Sequence, residues 1–369
     1  MSRRRVVVVE PYYGGSHRAW ADGLAAHSSH EVRLLTHEDQ FWRWRMRGGS
    51  VTLAEALTTH VDRVGRPDVL VVSDMVDAAA LLGLVRRTIG DIPVGAYFHE
   101  NQLVYPLGPT QKLDEGLALV NWKTMVAADR IWFNSEFHRG VVFDALRDLL
   151  GRPVDHRHEH LVAGVAARSF VLPVGVELAD LVSAHRGPAG TPPLVLWNQR
   201  WDHDKNPEAV FRALAKLAAE GLGFELALAG ENSRVHPREF DQVRALLGDR
   251  VVHVGELPRD EYLDLLVRAD VVVTAAHHEF FGIAMVEAMA AGAVPVLPDR
   301  LSYPEVVPPR FHADVLYADG ELRQALRHAL THTADLQERL GPLRAEMLRY
   351  DWTVLAPRYD AELDELASR

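Results

Sequence analysis

The feature that most restricts the fold of this chain is an alternation of short apolar runs with helix-like segments, which occurs twice. In the first half, nearly continuous apolar runs are bounded by turn residues, a pattern typical of buried parallel strands. The predicted strands are residues 6–9, 31–36, 68–73, 94–99, 130–134 and 170–174, with helices at 17–27, 78–87, 117–128 and 136–150. The pattern restarts with strands at 194–197, 225–229, 251–254, 270–274 and 294–297 and helices at 207–220, 238–247, 259–269 and 283–291. This repeated alternation predicts an α/β protein with two doubly wound, Rossmann-like domains.

The stretch between the two patterns, AHRGPAGTPP at 184–193, has three prolines, two glycines and no periodicity. Such a composition is typical of a linker. We therefore predict an N-terminal domain at 1–183, a linker at 184–193 and a C-terminal domain at 194–350. A helix at 351–369 follows, and the sequence leaves open whether it packs back on the first domain. Two such domains are expected to face a central cleft, with ligands outside the carboxyl ends of the strands.

The net charge of −11 comes from 40 Lys and Arg against 51 Asp and Glu. An acidic total argues against a nucleic-acid partner, because phosphate binding depends on clustered Lys and Arg. However, residues 1–180 carry only −2, whereas residues 181–369 carry −9. The absence of cysteine excludes disulfides, thiolate catalysis and zinc–thiolate sites. No apolar run approaches the ~18 residues of a membrane span, so we expect a cytoplasmic protein without a membrane partner.

The strongest motif is HEFFGIAMVE at 278–287, which follows a predicted strand and opens a helix at Gly282. Amides at a helix N-terminus bind phosphate or developing negative charge. Glu279 can accept hydrogen bonds from sugar hydroxyls, and Glu287, a little over two turns further on, can accept from both hydroxyls of a ribose. The alternative is a helix cap followed by a solvated glutamate.

A second motif, RWDHDK at 200–205, follows the first strand of the second domain. Arg200 and Lys205 can together bind two adjacent phosphates through charge-assisted contacts. The aspartates of its D-x-D pattern, Asp202 and Asp204, either orient these cations or bind a metal ion, and we favour the first interpretation. The alternative for the whole motif is a loop of solvated charges.

In the first domain, PYYGGSH at 11–17 lies between a strand and a helix. Its paired glycines, Gly14 and Gly15, allow close approach of a ligand, and Ser16 can cap the helix. An ordinary tight turn is the alternative. His99, followed by Glu100 and Asn101, ends the fourth strand and is either a sugar contact or a structural histidine.

Two further segments have ambiguous patterns. WRWRMR at 42–47 interleaves aromatic rings with arginines, which suits stacked bases and phosphates. It equally fits an amphipathic edge with tryptophan inside and arginine outside. HRHEH at 156–160 resembles a metal cluster, but it lies in a helix-to-strand connection, and we favour a solvated loop.

Together these residues resemble a known family. The Glu279–Glu287 pair with Arg200 and Lys205 is similar to the donor site of retaining GT-B glycosyltransferases of family 4. More narrowly, PYYGGSH, WRWRMR, YFHENQLVYP, FNSEFH, RWDHDKNPE, HEFFGIAMVEA and YPEV resemble the tRNA-queuosine α-mannosyltransferase family. The resemblance implies a GT-B fold and transfer of mannose from GDP-mannose to the cyclopentenediol of queuosine at the tRNA wobble position, with retention of the anomeric configuration.

The resemblance also implies roles for individual residues. The catalytic group would be His99, Arg200, Lys205 and Glu279. The donor would be bound by Gly14, Gly15, Arg200, Lys205, Gly230, Gly255, Leu257, Glu279, Phe280, Phe281, Gly282, Ile283 and Glu287. The acceptor would be bound by Ser16, His17, Trp42, Arg43, Trp44, Arg45, Arg47, Glu100 and Asn101. No metal or other cofactor is expected, and the partner would be a queuosine-containing tRNA, through the anticodon loop of the Asp tRNA.

Two alternatives remain open from the sequence. One keeps the donor chemistry but uses another nucleotide sugar, or a small-molecule or lipid acceptor. The other is a non-catalytic nucleotide-sugar or RNA-binding protein, against which the complete set of Arg200, Lys205, Glu279 and Glu287 argues. For a tRNA acceptor, docking is expected on the nearly neutral first domain, at Arg3–Arg5 and Arg43–Arg47. The sequence does not fix the oligomeric state.

Overall fold

A computed structural model of the chain describes residues 3–106, 113–230 and 238–368. The chain divides into two compact units, one of Met1–Val176 with Trp352–Arg369 and the other of Glu177–Asp351. Each unit contains a parallel sheet with helices between successive strands. The α/β class predicted from the alternating pattern is therefore confirmed.

The described residues of the first unit contain a six-stranded sheet. Its strands are β1 (Arg5–Tyr13), β2 (Glu31–Glu38), β3 (Val69–Ser73), β4 (Val94–Phe98), β5 (Arg130–Phe133) and β6 (Ser169–Val171). The helices of this part of the chain are α1 (Gly15–His27), α2 (Trp42–Val64), α3 (Ala78–Ile89), α4 (Glu115–Ala127), α5 (Glu136–Gly151) and α6 (Glu159–Ala167). The strand order is β2-β1-β3-β4-β5-β6, so β1, β3 and β4 are neighbours. Their carboxyl ends consequently lie side by side.

Sequence analysis did not predict helices α2 and α6. Helix α2 contains Gly48, Gly49 and several β-branched residues, all of which lower helix propensity. It forms because Met46, Leu53 and Leu57 lie on one helical face and are buried. Tertiary packing thus overrides local preference in this segment.

The second unit repeats the architecture among its described residues. Its strands are β7 (Leu194–Trp197), β8 (Glu225–Leu228), β9 (Val251–Val254), β10 (Val271–Val273), β11 (Val294–Pro298) and β12 (Leu316–Tyr317). Its helices are α7 (Ala179–Ser183), α8 (Pro207–Ala219), α9 (Arg238–Leu247), α10 (Arg259–Arg268), α11 (Ile283–Ala291), α12 (Tyr303–Val306), α13 (His312–Val315), α14 (Leu322–Thr331), α15 (Thr333–Arg339) and α16 (Gly341–Glu346). The strand order is β12-β11-β10-β7-β8-β9. Strand β7 therefore lies between β10 and β8.

The segment at 184–193 packs on the second unit. Asp270 Oδ2 accepts hydrogen bonds from the backbone amides of Gly190 and Leu194 at 3.1 and 2.8 Å, and Oδ1 pairs with Arg186 at 2.9 Å. The boundary between the two compact units follows Val176 and therefore precedes this segment. The expected domains were 1–183 and 194–350 with a linker between them. The structure instead groups the Pro/Gly-rich stretch with the second unit, because the buried Asp270 carboxylate holds it in place.

The C-terminal helix, α17 (Trp352–Ala367), belongs to the first unit, which settles the placement left open by the sequence. The Trp352 ring packs where Gly23 and Gly175 have no side chain, since an added Cβ at either would lie within 2.3 Å of the ring. Arg130 of β5 pairs with Glu362 and Glu365 of the helix at 2.5 and 2.6 Å. Aromatic packing and a buried guanidinium thus hold this helix on the unit.

Across the part of the chain that the structure describes, no helix combines the length and the apolar character that a bilayer crossing requires.

Candidate functional site

Lys205 lies in a short helical turn after β7 and is almost fully buried. Its Nζ donates to the His278 carbonyl oxygen at 2.8 Å and to Glu279 Oε2 at 3.3 Å, and it pairs with Asp204 Oδ2 at 3.3 Å. Because β7 pairs directly with β10, the loops after these strands meet at one edge of the sheet. The structure therefore brings together two predicted site residues, Lys205 and Glu279, that are 74 positions apart.

Burial and the Lys205 ammonium group have opposing effects on Glu279. Burial alone would raise the Glu279 pKa, but Lys205 and the Phe281 N–H, which donates to Oε1 at 3.4 Å, stabilise the carboxylate and bring its pKa below the ordinary value. Burial, and after it Lys205, lowers the pKa of His278 to about 4, so this imidazole is neutral at pH 7. An ionised carboxylate beside a cation suits a ligand that combines sugar hydroxyls with a diphosphate.

The Arg200 guanidinium is about half exposed in the same loop, with Nη1 3.5 Å from Asp202 Oδ2. Each aspartate of the D-x-D pattern thus pairs with a neighbouring cation, Asp202 with Arg200 and Asp204 with Lys205. Within residues 3–106, 113–230 and 238–368, neither aspartate belongs to a group with the spacing of a metal site. The geometry therefore favours orientation of the cations over metal binding.

Glu287 is buried in α11, and its carboxylate is already engaged. Tyr262 OH donates to Oε2 at 3.2 Å, and Arg259 Nη1 pairs with Oε1 at 2.7 Å. Sequence analysis missed both partners, although their i, i+3 spacing at the start of α10 places them on one helix face. The Arg259 side chain is half exposed, and the contact of Glu287 with a ribose stays a prediction.

Helix α11 begins at Ile283, and Gly282 before it has a φ of 91°, in the left-handed region that favours glycine. The helix N-terminus predicted from the sequence is therefore present. One amide expected to bind the donor, that of Phe281, is used internally by Glu279. Phe280 and Phe281 are buried and Ile283 is half-buried, so these side chains shape the loop from within.

The other predicted donor residues follow the neighbouring strands β8 and β9. At Gly230 an added Cβ would lie 1.7 Å from the Gln199 carbonyl oxygen, so only glycine fits beside the loop that carries Arg200. Gly255 has a φ of 126°, and Leu257 is half-buried. All these residues lie at the carboxyl ends of the strands, where α/β proteins bind ligands.

A second group of polar side chains lies in the first unit, at the carboxyl ends of β1, β3 and β4. Glu10 lies in β1, His17 in the following helix α1, Asp74 directly after β3, and His99 directly after β4. All four are more than nine-tenths buried. His17 Nδ1 donates to Glu10 Oε2 at 2.9 Å, and the ring centroids of His17 and His99 are 4.2 Å apart. The structure thus joins two predicted residues, His17 and His99, with two carboxyl groups that sequence analysis missed.

Several atoms of this cluster lack partners. Asp74 Oδ1 accepts from the His99 backbone N–H at 2.9 Å, whereas Oδ2 and both ring nitrogens of His99 have no hydrogen-bond partner among the described residues. Burial raises the Asp74 pKa to about 8, with Glu100 and Glu10 adding to the effect and His17 opposing it. Burial also holds the His99 pKa well below its ordinary value. Because unpaired buried polar atoms are costly, this cluster is suited to a polar ligand.

Glu10, His17 and His99 could also hold a metal ion, since each offers a ligand atom within 4.8 Å of the others. They are the one such group found in the described ranges. However, the bond between His17 and Glu10 already uses Nδ1 and Oε2. A metal ion would have to displace the His17 proton, so the ion pair is the simpler interpretation.

Asn101 is fully buried and supports its own loop. Its Oδ1 accepts from two backbone amides of the loop, and its Nδ2 donates to His138 Nε2, each at 3.0 Å. These bonds show that Asn101 orders its own loop, and its contact with an acceptor stays a prediction. Glu100 beside it is half-buried, and its charge acts on His17 and Asp74.

Helix α1 begins at Gly15, with Gly14 as its N-cap and no capping side chain. The expectation that Ser16 caps this helix is wrong, because Ser16 lies inside the first turn. Gly15 has a φ of 50°, and an added Cβ would meet no described atom within 4 Å, so its backbone is open to a ligand. Gly14 is required by packing, since a Cβ there would overlap Asp39.

Residues 41–47, here called the FWRWRMR segment, form the N-cap and the first turns of α2, with Trp42 packed against a buried cluster that includes Met46 and with Trp44 outside. Trp44 is 66% exposed and Trp42 is half-buried. The Arg43 guanidinium lies 4.8 Å from the Trp42 ring centroid, and Arg47 pairs with Asp114. The segment therefore has an exposed aromatic ring, Trp44, and arginines at neighbouring positions, a combination that suits single-stranded RNA.

Phe41 was missed by sequence analysis. It is 75% exposed, and its φ of 53° lies in the left-handed region, which is uncommon for a bulky residue. Such strain costs about 1–3 kcal/mol and concentrates at functional positions. The nearby Trp44 ring packs on Gly48, where an added Cβ would lie 3.1 Å from it, and Arg45 is half-buried. The signal available in the sequence was an aromatic residue next to WRWRMR.

The HRHEH stretch at 156–160 is exposed and forms a turn and the first residues of α6. His158 Nδ1 accepts a hydrogen bond from Trp122 Nε1 at 3.0 Å. The solvated interpretation therefore fits this segment.

The Glu10–His17 pair predicts a pH dependence of stability. Burial alone would lower the His17 pKa, but Glu10 raises it to about 9, above the ~6.5 of an unfolded chain. Because the folded value is the higher one, the pair stabilises the fold fully below pH ~6.5, and this contribution is lost as pH rises through 9. We expect urea denaturation to show that the free energy of unfolding decreases more steeply across this window for the wild type than for Glu10→Gln. The variant keeps the decrease caused by Asp74, whose pKa of about 8 lies in the same window. Equal pH dependence of the two proteins would contradict the pairing.

Both units match family models. Residues 5–176 match the tRNA-queuosine alpha-mannosyltransferase N-terminal model, and residues 182–342 match the glycosyl transferases group 1 model. The tRNA-queuosine alpha-mannosyltransferase of Drosophila melanogaster is 31% identical over 317 residues, which are 83% of this chain and 82% of that protein. The GDP-mannose:cellobiosyl-diphosphopolyprenol alpha-mannosyltransferase of Komagataeibacter xylinus is 30% identical over 161 residues, 42% of this chain and 41% of that protein.

Among solved structures, the catalytic domain of starch synthase IV from Arabidopsis thaliana, bound to ADP and acarbose, has a TM-score of 0.74 at 12% identity and covers 100% of both chains. At this identity the likeness concerns the fold alone. It confirms the predicted GT-B fold.

Proposed function

Because the chain belongs to the tRNA-queuosine alpha-mannosyltransferase family, we propose that it transfers mannose from GDP-mannose to queuosine at the wobble position of a tRNA, with retention of the anomeric configuration. The family and the glycosyl transferases group 1 match make the chain a hexosyltransferase. The donor, the acceptor position and the stereochemistry are the parts that the proposal adds.

The observation that carries the proposal is the buried contact between Lys205 and Glu279, with Arg200 on the same loop. When the bond between the sugar and the diphosphate breaks, negative charge develops on the leaving diphosphate. Two cations positioned at a loop edge stabilise this charge more in the transition state than in the ground state. The ionised Glu279 is then available to accept hydrogen bonds from the sugar hydroxyls.

GDP-mannose as donor is supported by the mannosyltransferase relatives, one of which is named for GDP-mannose. Glu287 would bind the ribose hydroxyls in place of Arg259, while Gly255 and Leu257 would lie beside the base. We propose that no metal ion takes part, because Arg200 and Lys205 supply the positive charge that a metal would otherwise bring. Activity that persists in EDTA is the expected result.

For the acceptor, we propose the anticodon loop of the Asp tRNA, in the cytoplasm. The FWRWRMR segment offers exposed Phe41 and Trp44 rings for stacking on unpaired bases and arginines for their phosphates. The buried cluster of Glu10, His17 and His99 would lie at the sugar and the queuosine ring. An exposed aromatic segment of this kind does not fit a small-molecule acceptor, which needs no such surface.

The test is to incubate the purified protein with queuosine-containing tRNA and, separately, GDP-mannose, UDP-galactose or UDP-glucose. After nuclease digestion, mass spectrometry of the nucleosides is expected to show a hexose on queuosine with GDP-mannose only, and NMR an α-linkage. The same tRNA without queuosine is the control. Transfer from a UDP-sugar would overturn the donor assignment, and absence of any hexose adduct would overturn the acceptor assignment.

A further inference from the structure

We propose that Asp74, together with Glu10 and Glu100, recognises the positively charged secondary amine that connects the cyclopentenediol of queuosine to its base. The inference rests on the proposed function, since it concerns the acceptor named there. It goes further by assigning recognition of a positive charge to Asp74 and Glu10, which no sequence motif indicated, together with the predicted acceptor residue Glu100. In this arrangement Asp74 is a positioning residue for the acceptor.

The charge of the cluster is the first argument. Three carboxyl groups, those of Glu10, Asp74 and Glu100, raise the pKa of His17, and Glu10 and Glu100 also raise the pKa of Asp74. His17 is the positive group beside them. The His17 imidazolium is matched by Glu10 at 2.9 Å, and Asp74 Oδ2 has no partner among the described residues. Ionisation of Asp74 would therefore add a negative charge that no described cation pairs with. A buried site with excess negative charge favours a cationic ligand.

The unpaired atoms are the second and independent argument. His99 is 6% exposed, and neither of its ring nitrogens has a partner in the described ranges. Its ring faces His17 at a centroid distance of 4.2 Å and contacts Trp20 and Tyr97 at 4.9 and 4.7 Å. Asp74 Oδ2 also lacks a partner there. A ligand with one donor cation and neighbouring hydroxyls would satisfy both sets of atoms.

The chemistry of queuosine matches this set. The secondary amine is attached to the same five-membered ring that carries the two hydroxyls, so a cation and the hydroxyls reach the site together. An ammonium–carboxylate hydrogen bond to Asp74 Oδ2 is about 2.7–2.9 Å long. This contact would bring the hydroxyls to the His99 nitrogens, because His99 is held against Asp74 by its backbone N–H at 2.9 Å.

The raised pKa of Asp74 supports the geometry. Burial keeps this carboxyl group largely protonated near neutral pH in the unliganded protein, while Glu10 and Glu100 add to the effect and His17 opposes it. A cation bound at Oδ2 would lower the Asp74 pKa, opposite to the effect of burial. Binding of the amine is therefore coupled to ionisation of Asp74.

The test compares wild type and Asp74→Asn on two acceptors, queuosine tRNA and a tRNA whose queuosine has an ether oxygen in place of the amine. Asparagine keeps Oδ1 for the His99 N–H, but it cannot ionise and places an NH₂ donor where Oδ2 would accept from the amine. We expect Asp74→Asn to raise the KM for queuosine tRNA at least tenfold with a smaller change in kcat. For the wild type, we expect the KM for the ether acceptor to exceed the KM for queuosine tRNA by a similar factor. For Asp74→Asn, we expect the two acceptors to have the same KM.

Asp91→Asn, an exposed acid of the same unit, is the matched control and should leave both KM values unchanged. If Asp74→Asn fails to fold, Glu100→Gln, at a half-buried position, replaces it with the same expected pattern. A wild-type enzyme that mannosylates both acceptors with equal KM would overturn the inference and leave the proposed function intact. Zn²⁺ binding by calorimetry that competes with queuosine tRNA and is lost in His99→Ala would also overturn it, in favour of a metal site. No transfer to either tRNA by the wild type would be a failure of the proposed function.

Discussion

Lys205→Ala is expected to lower the rate of mannosyl transfer at least ~100-fold, the scale of losing one donor that acts on developing charge in the transition state. Lys205 is almost fully buried, and it touches the loop after β10 at the Glu279 carboxylate and the His278 carbonyl oxygen. Its removal takes away the charge proposed to stabilise the leaving diphosphate and also the contacts with the loop after β10. Single-turnover transfer at saturating GDP-mannose is the measurement, because it separates the chemical step from donor binding.

Stability must be followed in the same experiment. Removing Lys205 leaves Asp204 and Glu279 without their cation, and breaking a buried pair costs about 3–5 kcal/mol. Rates are therefore to be measured well below the thermal midpoint of the variant. Lys216 is an exposed lysine on α8, so Lys216→Ala is the control for loss of a lysine in the same unit. Its transfer rate and its stability should equal those of the wild type. A decrease of less than threefold for a folded Lys205→Ala protein would show that Lys205 does not stabilise the leaving group.

The sequence predicted the fold and the proximity of Lys205 and Glu279 because both follow from local patterns. Buried parallel strands are short apolar runs, and loops at their carboxyl ends carry the chemistry, so the pattern alone places Lys205 and Glu279 at one sheet edge. Helix α2 escaped prediction because its stability comes from burial of Met46 and Leu53, which depends on the rest of the fold.

The first-unit cluster was only half predicted, for a similar reason. His17 and His99 stand in recognisable motifs, whereas Glu10 follows four valines and Asp74 follows a strand with no motif around it. Their importance comes from the strand order, which places β3 between β1 and β4. The strand order depends on contacts between residues far apart in the sequence. Without it, nothing indicates that Glu10 and Asp74 lie in the same cluster. A charged residue at the carboxyl end of a predicted buried strand was the available signal.

Replacing Arg43, Arg45 and Arg47 together with alanine is expected to abolish transfer to tRNA while hydrolysis of GDP-mannose without tRNA continues. These arginines lie in the FWRWRMR segment, which also carries the exposed Trp44. A phosphate that they no longer neutralise keeps its counterions on binding. The slope of log affinity against log salt should therefore become shallower, by about 0.7 for each single-strand phosphate that is no longer neutralised. Filter binding across a salt series measures this directly.

The triple variant Arg86→Ala, Arg87→Ala and Arg147→Ala removes the same charge from exposed positions of the first unit and should keep both transfer and the salt slope. The comparison matters because the net charge of −11 is unfavourable for RNA, so binding must depend on position and not on total charge. Arg4 and Arg5 do not contribute at the same place, since they lie at the amino end of β1, where Arg4 pairs with Asp364 at 3.1 Å and Arg5 donates to the Val64 carbonyl oxygen. If the two triple variants lose transfer equally, tRNA binds through diffuse charge, and the FWRWRMR segment is not its docking surface.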